Sequence, residues 1–336
     1  MAGRPPKRHP RDAAIQMQVG SPEDNSAISE ILTLNGQLFV IKAHSIFRIV
    51  TADETDPDRT NPSLPNTQQL ILKYGTHDEI VVRTLLTAIR LFRRPYLART
   101  IDCDRAVGQT FYVLKDLISM HEIFSEFCAA EERAITAHQA KNSEDNSQLV
   151  PAMTDVEARF KAFVQKSDHA MGALYEIAKV FYPNIKKKNW GKSLAQEAQS
   201  RHRQNEEFLN FLQKIVGPLE FARNVRNCIE HKTQSQQCIV RDFSFESSNE
   251  IIRPTIEVVH PTTPQPKILV RSFMEQLIRG MVNVVEVMIA QLSNANVDKV
   301  AGFDVQVILM EQSSTEIPQV QYSYVTEIDG RPVLAL

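Results

Sequence analysis

Glycine is scarce in this chain, with 11 residues in 336. Leu, Ala, Glu, Gln and Lys fill its long stretches instead, and these are the residues that lose least on entering a helix. Cysteine is equally sparse. Cys103, Cys128, Cys228 and Cys238 form no CxxC pair and have no His at zinc-finger spacing. That excludes a structural zinc and reads as four reduced thiols in a cytoplasmic setting. No apolar run approaches bilayer length and the first residues lack the apolar core of a signal peptide, so a soluble protein with no membrane partner is expected. The formal net charge is only -2, which excludes a globally basic nucleic-acid coat but not a local positive site. Acidic pairs such as Glu131-Glu132 and Glu206-Glu207 have no partner at metal spacing, and no nucleophilic triad can be argued from residue order.

What is present is apolar content of 43%, enough for a sizeable core and two modules. Residues 1–28 carry Arg4, Lys7, Arg8 and Arg11 among prolines and few apolar residues, the composition of a disordered basic tail. Gly3-Arg4-Pro5 resembles half of a minor-groove hook, against the plainer reading of a solubilising tail. Residues 29–75 form a small β-rich segment, with strand-like runs at Leu38–Ile41, Ile46–Val50 and Leu70–Leu72 around a polar loop from Thr51 to Gln68.

Helical periodicity then takes over from 76 to 293. Thr76-His77-Asp78-Glu79 reads as a capping box opening a helix with Val82, Leu85, Leu86, Ile89 and Phe92 on one face. A long helix is expected from about Asp104 to Ala140, then a polar loop at Lys141–Gln148. A second capping box, Thr154-Asp155-Val156-Glu157, opens a helix that stops at Pro183. Another helix covers about Leu194 to Val216, and Gly217-Pro218 breaks it, with Pro218 as first residue of the next. A β-hairpin is expected at 236–270. Ser272-Phe273-Met274-Glu275 then caps a last helix to about Leu292. A β-rich segment, 294–336, closes the chain with strands near Val305–Val307 and Val320–Tyr324 and a turn at Asp329-Gly330. The fold class is mainly α within an α+β whole.

One polar cluster interrupts the helical pattern: Arg226-Asn227-Cys228-Ile229-Glu230-His231. A guanidinium holds a phosphate through two donors, and an imidazole moves a proton near neutral pH. An Arg followed five positions later by His occurs three times, at Arg4–His9, Arg133–His138 and Arg226–His231. Only the third has Asn directly after the Arg, with a further Arg223-Asn224 one turn earlier. Asn227 and His231 share a helix face, while Arg226 lies about 140° round from His231 and must reach with its long side chain. The plainer reading is a helix end whose His231 and Lys232 complement the C-terminal dipole.

Lys186-Lys187-Lys188-Asn189-Trp190-Gly191-Lys192-Ser193 fails as a phosphate-binding loop, because the expected first Gly is Lys186 and no strand precedes it. Lys186, Lys187, Lys188, Lys192 and Arg223 could track an RNA backbone while Trp190 stacks a base, against the alternative of a solvated interhelical loop. Arg90, Arg93, Arg94 and Arg99 around Pro95-Tyr96 read as helix-end cations, against the alternative of an RNA-facing surface, and His121 and His169 as packed or boundary residues.

Arg226-Asn227-x-x-x-His231 is similar to the Arg-Asn-x-x-x-His motif of the HEPN superfamily, carried on the penultimate helix of a bundle. The resemblance covers about residues 76–293, and the hairpin and the β-rich terminal segments depart from it. It implies an HEPN-like helical bundle with inserted and terminal β elements. It also implies a metal-independent, cofactor-free endoribonuclease in which His231 is general base or acid, Arg226 stabilises the phosphate and Asn227 orients phosphate or His. Two copies would meet across a homodimer cleft, with RNA as substrate. A toxin or defence effector of that kind needs restraint, from the tail, the β segments or an inhibitory partner protein. Two alternatives stand beside it: a non-catalytic helical module binding RNA or protein, and a DNA-associated regulator using the Arg4–Arg11 tail.

Overall fold

A computed structural model describes residues 10–12, 17–21, 23–139, 149–247, 250–298, 300, 302–310, 317–328 and 331–335. Among these the chain is of mixed α+β character, 49% helix and 20% strand. It divides into two compact units, Met1–Val82 with Gln312–Val320, and Arg83–Glu311 with Gln321–Leu336.

The first unit is an antiparallel meander of β1 (Glu30–Leu34), β2 (Gln37–Ile41), β3 (Ile46–Val50) and β4 (Thr67–Leu72). Asn35 and Gly36 both take positive φ, 51° and 76°, between the paired Leu34 and Gln37. That is the two-residue turn whose twist suits a hairpin. Part of the expected tail is ordered against this sheet: Val19 is buried with Val40 and Ile49, and Lys42 donates to the Val19 carbonyl at 2.8 Å and to Asp24 at 2.9 Å. The Ser26 donors, then Lys42, hold the Asp24 carboxyl down to about 2. The polar stretch after β3 is likewise more than a loop. Thr51 caps the short α1 (Ala52–Thr55), and Asp56 accepts from the Thr60 and Asn61 amides and from Arg11 at 2.6 Å. Arg11 is therefore engaged by acidic side chains. Met1–His9, with the hook-like Gly3-Arg4-Pro5, lie outside the described residues. α2 (Glu79–Val81) starts at Asp78, whose side chain accepts from the Gly75 amide; the Thr76 amide bonds to Lys42, so the expected capping box does not form.

The second unit holds the helices. A π-type turn (Val82–Leu86) precedes α3 (Thr87–Leu91). Its extra residue rephases the buried face, so Thr84, Thr87, Ala88 and Leu91 are buried while Leu86 and Ile89 are half-exposed. α4 (Cys103–Gln139) and α5 (Val156–Phe181) pack along each other, α6 (Trp190–Arg201) packs on α7 (Glu206–Glu230), and α8 (Val270–Ala295) packs against α4, α5 and α7. The loop expected at Lys141–Gln148 lies outside the described residues.

Other helix starts also differ from expectation, α6 beginning at Trp190 and not at Leu194. At α5 the Met153 and Thr154 amides donate to Asp242, and Glu157 pairs with Lys232, so no capping box forms. α8 begins at Val270, ahead of the expected Ser272 cap. Most consequentially, Gly217-Pro218 does not break the chain. The break falls at residues 202–205, where the Asn205 side chain accepts from the Phe208 amide at 3.0 Å and opens α7. Pro218 sits inside α7 and removes one internal hydrogen bond. Ile215, Leu219, Ala222 and Val225 continue the buried stripe through it, so packing outweighs the local cost.

The expected hairpin at 236–270 is a three-stranded sheet of β5 (Gln237–Arg241), β8 (Thr255–Val259) and β9 (Gln265–Leu269), with β6 (Ser244–Phe245) paired to β7 (Ile251–Ile252). The terminal strands β10 (Val305–Leu309), β11 (Tyr322–Ile328) and β12 (Arg331–Leu334) form a further three-stranded sheet, which belongs to the helical unit. The buried Tyr324 hydroxyl donates to the Leu91 carbonyl at 2.5 Å, and its ring stacks on Tyr96 at 4.2 Å. Asp329-Gly330 lies outside the described residues, and no described helix is long and apolar enough to cross a membrane.

Candidate functional site

The motif occupies the last turn of α7. Phe208, Leu212, Ile215, Leu219, Ala222, Val225 and Ile229 recur at three- and four-residue intervals and are all buried. Each large one contributes about 1.5–3 kcal/mol of apolar burial. That stripe fixes the helix's rotation and leaves Arg223, Arg226, Asn227 and Glu230 half-exposed on the other flank.

Arg226 is held on three sides. Its Nη2 lies 2.5 Å from Glu230 Oε2, its Nη1 donates to Asn227 Oδ1 at 3.3 Å, and its Nε is 3.8 Å from Asp168 Oδ2 on α5. Gln165 donates to the other oxygen of Glu230 at 3.1 Å. That donor first, and Arg226 after it, hold the Glu230 carboxyl below the usual carboxylate range.

His231 ends the helix. Its amide still donates to the Asn227 carbonyl at 2.8 Å, but its backbone has left the helical region, at φ -126° and ψ 60°. The side chain is exposed and makes no hydrogen bond among the described residues. Arg226 and Asn227 are thus brought together, while the His231 side chain, at the same helix end, makes no hydrogen bond to either side chain.

Most of the second group converges beside it. Trp190 is the first residue of α6, and its N-cap Asn189 takes the left-handed conformation at φ 55° and accepts from Arg223. Lys187, Trp190, Lys192 and Arg223 all line one cavity of about 480 Å³ between α5, α6 and α7. Lys192 pairs with Glu220 at 2.5 Å. Lys186 and Lys188 are exposed and do not line it; the Lys186 amide bonds to Ser193. The exposed His169 borders the cavity, although helical periodicity suggests a packed or boundary residue.

Sequence reading missed Asp168 and Gln165. Neither carries a local signal, since both reach the motif across a helix pair. Glu230 was missed as well, although its i,i+4 spacing from Arg226 is a signal that could have found it. Arg94 is structural: it donates to the carbonyls of Leu97, Ala98, Arg99 and Ile101 and closes that loop. No group of three or more His, Cys, Asp or Glu among the described residues is arranged to hold a metal ion.

Comparison with family models, with curated proteins and with solved structures returns no match. The functional reading therefore rests on the residues themselves.

Proposed function

We propose that this chain is a metal-independent endoribonuclease of HEPN type, its helical unit an elaborated version of that bundle. The observation that carries the reading is that Arg226, Asn227 and His231 share one accessible helix end beside a cavity lined by cations and an aromatic ring. In the reaction, a base removes the proton of a ribose 2′-hydroxyl, and that oxygen attacks the adjacent phosphorus. The 5′-oxygen of the next nucleotide leaves with a proton from an acid, giving a 2′,3′-cyclic phosphate and a 5′-hydroxyl. His231 takes the proton-transfer role, Arg226 the developing phosphate charge, and Asn227 the alignment.

One motif supplies one imidazole, which makes no hydrogen bond to its own Arg226, and an acid and a base are both required, so the working unit is a homodimer with two motifs facing one cleft. In the unliganded chain Glu230 and Asp168 occupy the Arg226 guanidinium. The scissile phosphate must displace them, which makes the carboxylates competitors that keep the resting arginine satisfied.

The same clamp favours a second reading, a non-catalytic helical module in which Arg226 ties α7 to α5. Incubating the purified chain with total RNA in EDTA separates the two. Fragments with cyclic-phosphate ends, absent with His231→Ala, are expected; intact RNA with the wild type, or equal cutting by the variant, sinks the ribonuclease reading.

A further inference from the structure

The cavity beside the motif has the shape and chemistry of a site for one particular unit. Gly172 on α5 lines it, and a Cβ built there meets nothing within 4 Å, so the space in front of this residue is open. Glycine inside a helix costs about 0.5–1 kcal/mol relative to alanine, and no close neighbour at Gly172 requires it. What its missing side chain leaves is space on the cavity wall. Gly191 does the opposite. A Cβ on it would lie 3.2 Å from Leu219 Cδ1, so α6 can sit close on α7 and bring Trp190 and Lys192 beside Glu220 and Arg223.

The lining mixes three functions. Trp190, backed by Tyr175 with ring centroids 6.3 Å apart, offers an aromatic surface. Lys187, Lys192 and Arg223 supply positive charge, and Asp168 and Glu220 supply acceptors. A volume of about 480 Å³ falls within the range of sites that enclose a small ligand. A flat, partly apolar ring with donors on its edge, joined to an anion, satisfies all three; a simple anion leaves the aromatic wall and the acceptors unused. Asp168 lines this cavity and also lies 3.8 Å from Arg226 Nε. An occupant of the cavity is therefore one side chain away from the motif arginine.

We propose that the cavity binds one nucleoside monophosphate unit, its base against Trp190 and its phosphate on Arg223 and Lys192, as the nucleotide flanking the phosphodiester presented to Arg226. The assignment to an RNA strand rests on the ribonuclease reading, whereas the nucleotide chemistry rests on the cavity alone.

Trp190 is the chain's single tryptophan, so its fluorescence reports on this site and no other. The full-length wild type is titrated with an uncleavable 2′-O-methyl trinucleotide, with adenosine 5′-monophosphate and with inorganic phosphate. Saturable quenching is expected from the first two, the trinucleotide acting at least tenfold lower in concentration. Arg223→Ala should weaken it at least tenfold. Gly172→Leu should abolish it by filling the space, with circular dichroism showing both variants folded. A silent Trp190 at millimolar ligand, or unchanged binding by folded Gly172→Leu, overturns the site. Phosphate displacing adenosine monophosphate at equal concentration overturns the base contact, and equal affinity for mononucleotide and trinucleotide overturns the strand assignment. RNA cleavage in EDTA with a silent Trp190 removes this subsite and leaves the ribonuclease reading standing. Quenching without cleavage does the reverse.

Discussion

Arg133–His138 on α4 and Arg226–His231 on α7 carry the same pair of residues at the same spacing on two long helices. On α4 the Arg133 side chain is exposed, makes no ion pair among the described residues, and is followed by an alanine. His138 lies against the Phe245 ring at 6.3 Å. On α7 the arginine is half-buried, held by Asn227, Glu230 and Asp168, and a cation-lined cavity opens alongside. Spacing is therefore a weak discriminator. What separates the two is the residue next to the arginine and the helix packed against it, because a phosphate needs several donors converging from different elements.

The comparison breaks most visibly at the histidines. His231→Ala should lower RNA cleavage by at least about 10²-fold, the usual contribution of a positioned proton-transfer group, while His138→Ala leaves it unchanged in the same gel assay. Equal losses would show that neither end is special. Arg226→Ala should reduce the cleavage rate by about 10²–10³, as for removal of one transition-state donor, with Arg133→Ala at the wild-type rate. A smaller effect belongs to the helix itself. Asn205→Ala removes the cap of α7 and should cost about 1 kcal/mol in urea unfolding, without the steep activity loss of the motif variants.

The smallest expected effect sharpens the clamp. Glu230→Gln frees Arg226, so uncleavable RNA should bind a few-fold more tightly in a gel shift. Unchanged affinity with a lowered melting temperature would favour the purely structural pairing. The carboxyl of Glu230 is depressed below its ordinary value of 4.5. Its stabilising contribution is therefore fully present above that pH and is lost as pH falls through the folded-state value. The melting-temperature difference between wild type and Glu230→Gln should persist at pH 7 and shrink as the pH is taken below the ordinary carboxylate value of 4.5. A difference that grows on acidification would contradict the assignment.

Much of the architecture was legible along the chain. The long helix read from Asp104 onward, the helix stopping at Pro183 and the terminal strands all appear, because their apolar periods run long enough to outweigh local exceptions. The errors cluster where one local rule met a tertiary partner. Pro218 reads as a helix start, yet buried neighbours on both sides carry α7 straight through it. The capping boxes at Thr76 and Thr154 read well by spacing, but Lys42 and Asp242 took the amides they would have served.

The motif shows the same division. Sequence alone determined that an Arg-Asn pair and a His lie near one helix end, since three residues within six positions of a helix cannot be far apart. It also placed Lys187, Trp190, Lys192 and Arg223 in the chain's basic stretches. Only the packing of α5 and α6 onto α7 decided that those four line one cavity, that Asp168 comes within 3.8 Å of Arg226, and that Gly172 faces the same open space. The reason is distance along the chain: contacts between helices tens of residues apart depend on rotation and approach, and the buried stripes of all three helices set these jointly.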